Sequence, residues 1–338
     1  MEKYKKKTLH CEELSIIVPV YNTELKLLTE CLDSLCEINN IYSHVYLIDD
    51  GSLSNMSTSY KRLCIERYNG YVTYVYKDNG GVSSARNYGI KVSAGYYVMF
   101  VDSDDRINYQ EFNKLKIDRS YDVINCSVRT IKNGTIIDTP EFDAYEGRID
   151  REQWLEAFLN KRTMHAPYGK LIKREFIVNN EIYFDDKMIN GEDAIFNLCL
   201  MKKRASIFYQ NLYIYIYNYV HGTTDNRWKK KTTEMLTDIT FLFNQKRKLI
   251  EDEEHDKTKA YSYYKKLINT YISELFIGRI VINGIADKTL CKNFWLLVNN
   301  NTRNDTDKII FVSKIKRFLL KANNNFIFSI LKLIRTFR

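Results

Sequence analysis

The chain has 338 residues, 45% of them hydrophobic, and only three prolines, Pro19, Pro140 and Pro167; it is long enough for roughly two domains and too apolar to be disordered. Its formal charge of +9 is local: Lys308 to Arg338 holds eight basic side chains and no acidic one, and the rest carries 43 basic against 42 acidic. That balance argues against a body built to coat nucleic acid. The N-terminal stretch lacks a signal-peptide core, and no run approaches the ~18 apolar residues of a membrane span. Seven scattered cysteines without a CxxC pair fit reduced thiols in a cytosolic protein.

In chain order, "LSIIVPV" (14–20) predicts a buried strand and 24–38 an amphipathic helix with Leu27, Leu28, Cys31, Leu32 and Leu35 on one stripe. A strand over 45–49, a helix over 56–68 and a strand over 71–76 follow. Residues 83–94 read as a third helix, capped by Ser83 or Ser84 and closed by Gly95. A fourth strand covers 96–101. This alternation predicts an α/β fold with a mainly parallel sheet flanked by helices. Further on, a hairpin turns through Asn133-Gly134, helices cover 151–159 and 192–203, and "ASIFY" and "LYIYIYNYV" read as separate strands. Beyond Trp228 the chain turns helical, with a stripe of Tyr261, Tyr264, Leu267, Ile268, Tyr271 and Leu275.

Unusual polar residues follow each of the first four strands: Tyr21-Asn22, "DDGS" (49–52), "DNGG" (78–81) and "DSDD" (102–105). Ligands of such sheets bind beyond the carboxyl ends of the strands. Residues two apart on extended chain point the same way, so Asp102 and Asp104 are expected to face one point and Asp105 another. Two carboxylates suit Mg²⁺ or Mn²⁺. An EF-hand is excluded, because Arg106, Ile107 and Asn113 stand where a ligand, the glycine and the bidentate Glu belong. A solvated acidic turn is the rival reading. There is no GxxxxGK[ST], "GGVSSARNYG" does not fit GxGxxG, and the five histidines form no HExxH.

The blocks "SIIVPVYN", "IDDGS", "NGGVSSARNYGI", "AGYYVMFVDSDD" and "NGEDAIFN" together resemble the family 2 glycosyltransferases of the inverting GT-A fold over residues 14–225, closest in character to bacterial enzymes that build capsular or other surface polysaccharides. The resemblance implies a catalytic domain over 1–225, with a nucleotide-binding half to about 110 and an acceptor half from about 111, then a helical region over 226–338. It places Pro19, Val20 and Tyr21 along the nucleoside, and Asp50 on the uracil edge. Gly81 and Arg86 fall near ribose and pyrophosphate, where Arg86 is either a diphosphate partner or a surface helix charge. Asp102 and Ser103 belong to the nucleotide-sugar side of the DxD block, with Asp102 towards ribose and metal, and Asp104 is the metal ligand proper. Asp105 is a cap or a support for this loop. Asp193 matches the catalytic base, and Glu192 orients the acceptor or its neighbour. In "YGKLIKREF" (168–176) Tyr168 takes the place of a family tryptophan. Lys170 is either a substrate or diphosphate contact or a solvated lysine, and His221 either reaches the metal or a phosphate or is an ordinary polar residue.

The implied activity is Mn²⁺- or Mg²⁺-dependent, inverting transfer from a UDP-sugar to a glycan hydroxyl, with a polyprenyl-diphosphate-linked acceptor. A non-catalytic membrane- or nucleic-acid-binding protein and a nucleotidyltransferase are the alternatives. On a helical wheel, residues 308–338 set Ile315, Phe318, Leu319, Ala322, Phe326, Ile330, Leu333 and Phe337 against Lys314, Arg317, Lys321, Lys332 and Arg335. This amphipathic tail is expected to lie on anionic lipid, placing the enzyme on the inner face of the cell membrane with no nucleic-acid partner.

Overall fold

Strand β1 (Leu14–Val20) is buried along its whole length, as a strand covered on both faces must be. It pairs in parallel with β2 (Ser43–Asp50) on one side and β4 (Tyr97–Phe100) on the other, and β3 (Val72–Lys77) pairs in parallel with β2. The computed structural model describes residues 12–132, 134–142, 146–160, 162–219 and 232–271. The crossovers are helices α1 (Leu25–Cys36), α2 (Ser54–Arg67) and α3 (Val82–Val92). Helix α1 buries Leu28, Cys31, Leu32 and Leu35 of the predicted stripe and leaves Leu27 half-buried.

Strand order runs β3-β2-β1-β4. The chain thus winds outwards from β1 through β3 and returns to the other side of β1, and this switch opens a crevice between the ends of β1 and β4. Pairing of β1 with β4 stops at Ile17 and Phe100, and the Ile17 carbonyl accepts the Val101 N–H at 3.0 Å. Two residues on, Pro19 faces the same way and has no N–H to leave unpaired.

The sheet continues as β9-β6-β10-β5, from β5 (Arg106–Ile107), β6 (Val123–Lys132), β9 (Lys170–Lys173) and β10 (Ile207–Tyr219). Short strands β7 (Thr135–Thr139) and β8 (Gly147–Ile149) join β6 and β10. Parallel pairing holds throughout the first four strands, whereas this second half is mixed: β9 is antiparallel to both β4 and β6, and β10 is parallel to β6. Helices α4 (Tyr109–Phe112), α5 (Arg151–Asn160), α6 (Arg174–Asn179) and α7 (Glu192–Lys202) complete this part.

Three local expectations change. Helix α3 starts at Gly81, with φ 88°, and no side chain caps it; Ser83 and Ser84 fall inside its first turn. Gly95 does not close that helix, which ends at Ser93. Its N–H donates to Ser15 Oγ at 2.8 Å, and a Cβ there would meet the Ser15 nitrogen at 2.6 Å. Residues 205–219 supply one strand, not two: β10 stays on β6 through register shifts on either side of Tyr213. The β6–β7 hairpin forms as expected, with Lys132 opposite Thr135 and Gly134 at φ 76°; Asn133 lies outside the described residues.

Contacts divide the chain into residues 1–221 and 222–338. In the second unit α8 (Thr232–Glu253) packs against α9 (Lys257–Tyr271). Tyr264 and Leu267 of the predicted stripe are buried and Tyr261 is exposed. Leu275 and the basic tail lie outside the described residues. Among the described residues no helix is long and apolar enough to cross a membrane, and Cys31, Cys36, Cys64, Cys126 and Cys199 are free thiols.

Candidate active site

The two aspartates closing β2 divide the work. Asp49 accepts from the Ser52 N–H (2.9 Å), Ser57 Oγ (2.6 Å) and Tyr74 Oη (2.7 Å); it builds the turn and pins α2. Asp50, 2% exposed, accepts from Lys77 Nζ at 2.5 Å and from the N–H groups of Gly80 (3.0 Å) and Gly81 (2.7 Å). It therefore organises the 77–81 loop and the start of α3. A carboxylate has about four acceptor sites, so these three donors leave it one, enough for a single nucleobase N–H. Gly51, at φ 74°, lets the loop come close: a Cβ there would meet the Asn79 nitrogen at 2.6 Å. At the end of β1, Pro19 and Val20 are buried, and Tyr21 just beyond it is exposed. Asn22 ties this segment to the β2 turn by donating its N–H to Ser52 Oγ (2.9 Å) and accepting from the Leu53 N–H (2.8 Å).

Arg86 is not a surface charge. It is 3% exposed; Nη1 donates to Asp193 Oδ1 at 2.6 Å and Nη2 to Asp102 Oδ1 at 2.9 Å. Its guanidinium lies over the Phe184 ring, 5.2 Å from the centroid. Asn87 holds that same residue's backbone from both sides: its Nδ2 donates to the Phe184 carbonyl at 2.8 Å and its Oδ1 accepts the Phe184 N–H at 2.9 Å. The "ARN" block thus fixes a cation and the ring beneath it. Between two carboxylates, Arg86 has its proton affinity raised despite burial.

The "DSDD" stretch is not extended. The Asp105 N–H donates to the Asp102 carbonyl at 3.0 Å, closing a turn after β4, so strand alternation does not govern these side chains. Asp104 is exposed and Asp105 is 1% exposed. The Asp104 carboxyl, though it reaches solvent, is pushed up by partial desolvation and by the Asp102 charge. Ser103 is buried and shares a 2.7 Å hydrogen bond with the Thr23 hydroxyl. Asp105 supports the loop: its carboxylate accepts from Tyr215 Oη (2.7 Å) and the Asn218 N–H (2.8 Å), while Asn218 Nδ2 donates to the Asp104 carbonyl (2.8 Å).

Asp193 arrives on the first turn of α7, after Gly191 at φ 87°. Burial pushes its carboxyl up to about 7; Arg86 opposes this, and the Glu192 and Asp102 charges add to it. Glu192 is half-buried beside it. Lys170 is not the solvated lysine that the sequence allows. It is 3% exposed and Nζ donates to the Ala166 carbonyl at 2.7 Å, and burial lowers its proton affinity against the pull of Glu141 and Asp193. Tyr168 stacks on Tyr215, with centroids 4.2 Å and planes 9° apart. His221 lies outside the described residues.

Among the described residues no three His, Cys, Asp or Glu side chains could together hold an ion. Asp102 and Asp104 could hold a hard divalent cation only if water and an incoming diphosphate completed its shell, the usual arrangement for Mg²⁺. The charge balance suits that: Asp102, Asp104, Asp105, Glu192 and Asp193 meet Arg86 and Lys170 in the same region. A diphosphate entering alone would face net negative charge.

Residues 15–181 match the family model described as Glycosyl transferase family 2. These residues, just under half of the chain, belong to this family. Similar curated relatives include the uncharacterized glycosyltransferase EpsJ of Bacillus subtilis, 28% identical over 211 residues and covering 60% of each chain. The minor teichoic acid biosynthesis protein GgaB of Bacillus subtilis is 31% identical over 57% of this chain and 21% of its own. The first relatives are matched over 60%, 66% and 46% of their own lengths, less than two thirds. The fold is that of the GT-A glycosyltransferases: the crystal structure of S. aureus TarS 1-349 in complex with UDP-GlcNAc superposes with TM-score 0.58 at 20% identity, over 78% of this chain and 74% of that one.

Sequence reasoning missed Lys77, Phe184, Tyr215 and Asn218. Alternating tyrosines in "LYIYIYNY" (212–219) are the one signal that marked Tyr215. Replacing Arg86 by Ala leaves two carboxylates and a buried void without a counter-charge. A loss of unfolding free energy on the order of 3 kcal/mol is expected by chemical denaturation. Arg86→Lys recovers only part of it, because one ammonium lacks the fork that reaches both acids.

Proposed function

We propose that this chain transfers a sugar from a UDP-sugar to a glycan hydroxyl in the synthesis of a bacterial surface polysaccharide. One observation carries the reading: the Arg86 guanidinium joins Asp102, from the turn after β4, to Asp193, at the start of α7. That joint sets a donor-side acid and a candidate base on one cation at the crevice where α/β sheets take ligands. Support for the substrate class comes from relatives named for teichoic acid biosynthesis and poly(ribitol-phosphate) beta-N-acetylglucosaminyltransferase activity.

In this reading the uridine lies along Pro19, Val20 and Tyr21, with Asp50 acting on the base directly or through the loop that it holds. The diphosphate approaches Gly81, Arg86 and Ser103, and Lys170 acts from beneath through Ala166. Mn²⁺ or Mg²⁺ held by Asp102 and Asp104 would supply positive charge for the departing diphosphate. Asp193 takes the proton from the acceptor hydroxyl. The acceptor oxygen forms its bond to the anomeric carbon as the carbon–oxygen bond to the β-phosphate breaks, and the electron pair leaves with UDP. A single displacement inverts that carbon. Glu192 orients the acceptor and keeps Asp193 basic. A nucleotidyltransferase has no use for the Glu192-Asp193 pair beside the nucleotide cleft, and a purely binding protein has none for a candidate base joined to a donor-side acid through one arginine.

Because Asp193 works unprotonated and its carboxyl lies near 7, kcat/KM for transfer is expected to rise with pH through about 7 and to fall below it. Asp193→Asn abolishes transfer while calorimetric UDP affinity stays near wild type. Appreciable transfer by that variant removes Asp193 as the base.

The second expectation concerns the cation. UDP binding weakens at least tenfold on adding chelator or in Asp104→Ala, because an uncompensated diphosphate meets the acidic turn. Equal affinity with and without chelator contradicts the metal assignment.

The acceptor in this proposal is linked to a polyprenyl diphosphate, and the tail from Lys308 brings the enzyme to the inner membrane surface. Truncation after Asp307 is expected to abolish sedimentation with anionic liposomes and to spare UDP binding. Undiminished sedimentation rules out the tail as anchor.

A further inference from the structure

We propose that Tyr215 is a positioning residue that keeps the Asp102–Asp105 turn in register with the base-bearing side of the crevice. The inference rests on the metal-dependent donor reading above. Tyr215 is fully buried in the middle of β10. Its hydroxyl accepts the Asp102 N–H at 3.2 Å and donates to Asp105 Oδ2 at 2.7 Å. One oxygen atom therefore holds both ends of the turn that carries Asp102 and Asp104. Its ring lies flat on Tyr168, two residues before Lys170, whose ammonium grips the Ala166 carbonyl. Asn197 of α7 donates to that same carbonyl (3.1 Å), to the His165 carbonyl (2.9 Å) and to the carbonyl of Asp193 itself (2.9 Å). Tyr215 thus leads, through Tyr168, the chain to Lys170, and Asn197, from the donor-side acids to the base.

Two features separate this from ordinary core packing. The register of β10 shifts on either side of Tyr213, immediately before Tyr215; such bulges re-aim side chains and gather next to active sites. The second feature is Asp105, whose buried carboxylate receives only neutral donors, Tyr215 Oη and the Asn218 N–H. Its two oxygens accept from different donors, Oδ2 from Tyr215 and Oδ1 from the Asn218 N–H, so a side-chain amide, with a single acceptor oxygen, could not make both hydrogen bonds.

Tyr215→Phe deletes the oxygen and keeps the ring and its stack. Calorimetric UDP affinity across a Mn²⁺ series, on the full chain, compares wild type, Tyr215→Phe, Asp105→Asn and Asp104→Ala, with Tm read for each. Hydrogen bonds to charged groups are worth roughly a factor of ten or more. The half-saturating Mn²⁺ concentration is therefore expected to rise about tenfold in Tyr215→Phe and Asp105→Asn. A residue that only fills the core would lower Tm and leave this metal dependence unchanged. Wild-type Mn²⁺ dependence in either folded variant, beside a weakened Asp104→Ala, overturns the inference alone. If Asp104→Ala is also indistinguishable from wild type, the metal reading fails and takes this inference with it.

Discussion

The Arg86 guanidinium is the constraint around which the catalytic unit is arranged. One planar cation, cut off from water, makes hydrogen bonds to Asp102 and Asp193, residues about ninety positions apart in the sequence. Each element around Arg86 serves that joint. Gly81 begins α3 without a cap so that the helix can start inside the crevice, Phe184 presents its ring beneath the charge, and Gly191 turns the chain so that Asp193 enters on the first turn of α7. The site is therefore held by a charge arrangement that its ligands can reorganise, since a cation or a diphosphate would compete for the same partners.

Much of this was legible in the residues. Continuous apolar runs give β1 to β4 because a strand buried on both faces has no polar side to show. The motif acids collect at the strand ends because parallel winding brings those ends together. The geometry within the motifs was not legible. Alternation along "DSDD" fails because a turn, closed by a backbone hydrogen bond, replaces extended chain. Lys170 is a charged residue of a kind usually solvated, yet β9 lies between β4 and β6, and Lys170 is buried there. Phe184 and Tyr215 escaped for a different reason. Their roles come from contacts with residues about a hundred positions away, and an aromatic residue looks the same whether it fills a core or holds an arginine.

Two residues expected on the ligand side also hold the site together. Asp50 gives most of its acceptor capacity to Lys77, Gly80 and Gly81, and Lys170 gives a donor to a backbone carbonyl. Both are buried charges, expensive to keep unless their partners are fixed. Their rigidity is what lets short polar loops at the strand ends keep one arrangement, and a pocket lined by such loops needs less ordering when a nucleotide arrives.

The grip of Asn87 on Phe184 has a consequence for how this unit can diversify. The side-chain amide pairs with both polar groups of one residue's backbone, as a neighbouring strand would, so the loop before α7 is fixed at Phe184 itself. Insertions or deletions on either side of that point would leave the ring under Arg86 undisturbed. Loops that surround an acceptor can then vary in length and shape from one descendant to the next, while the charge arrangement that performs the chemistry is inherited whole.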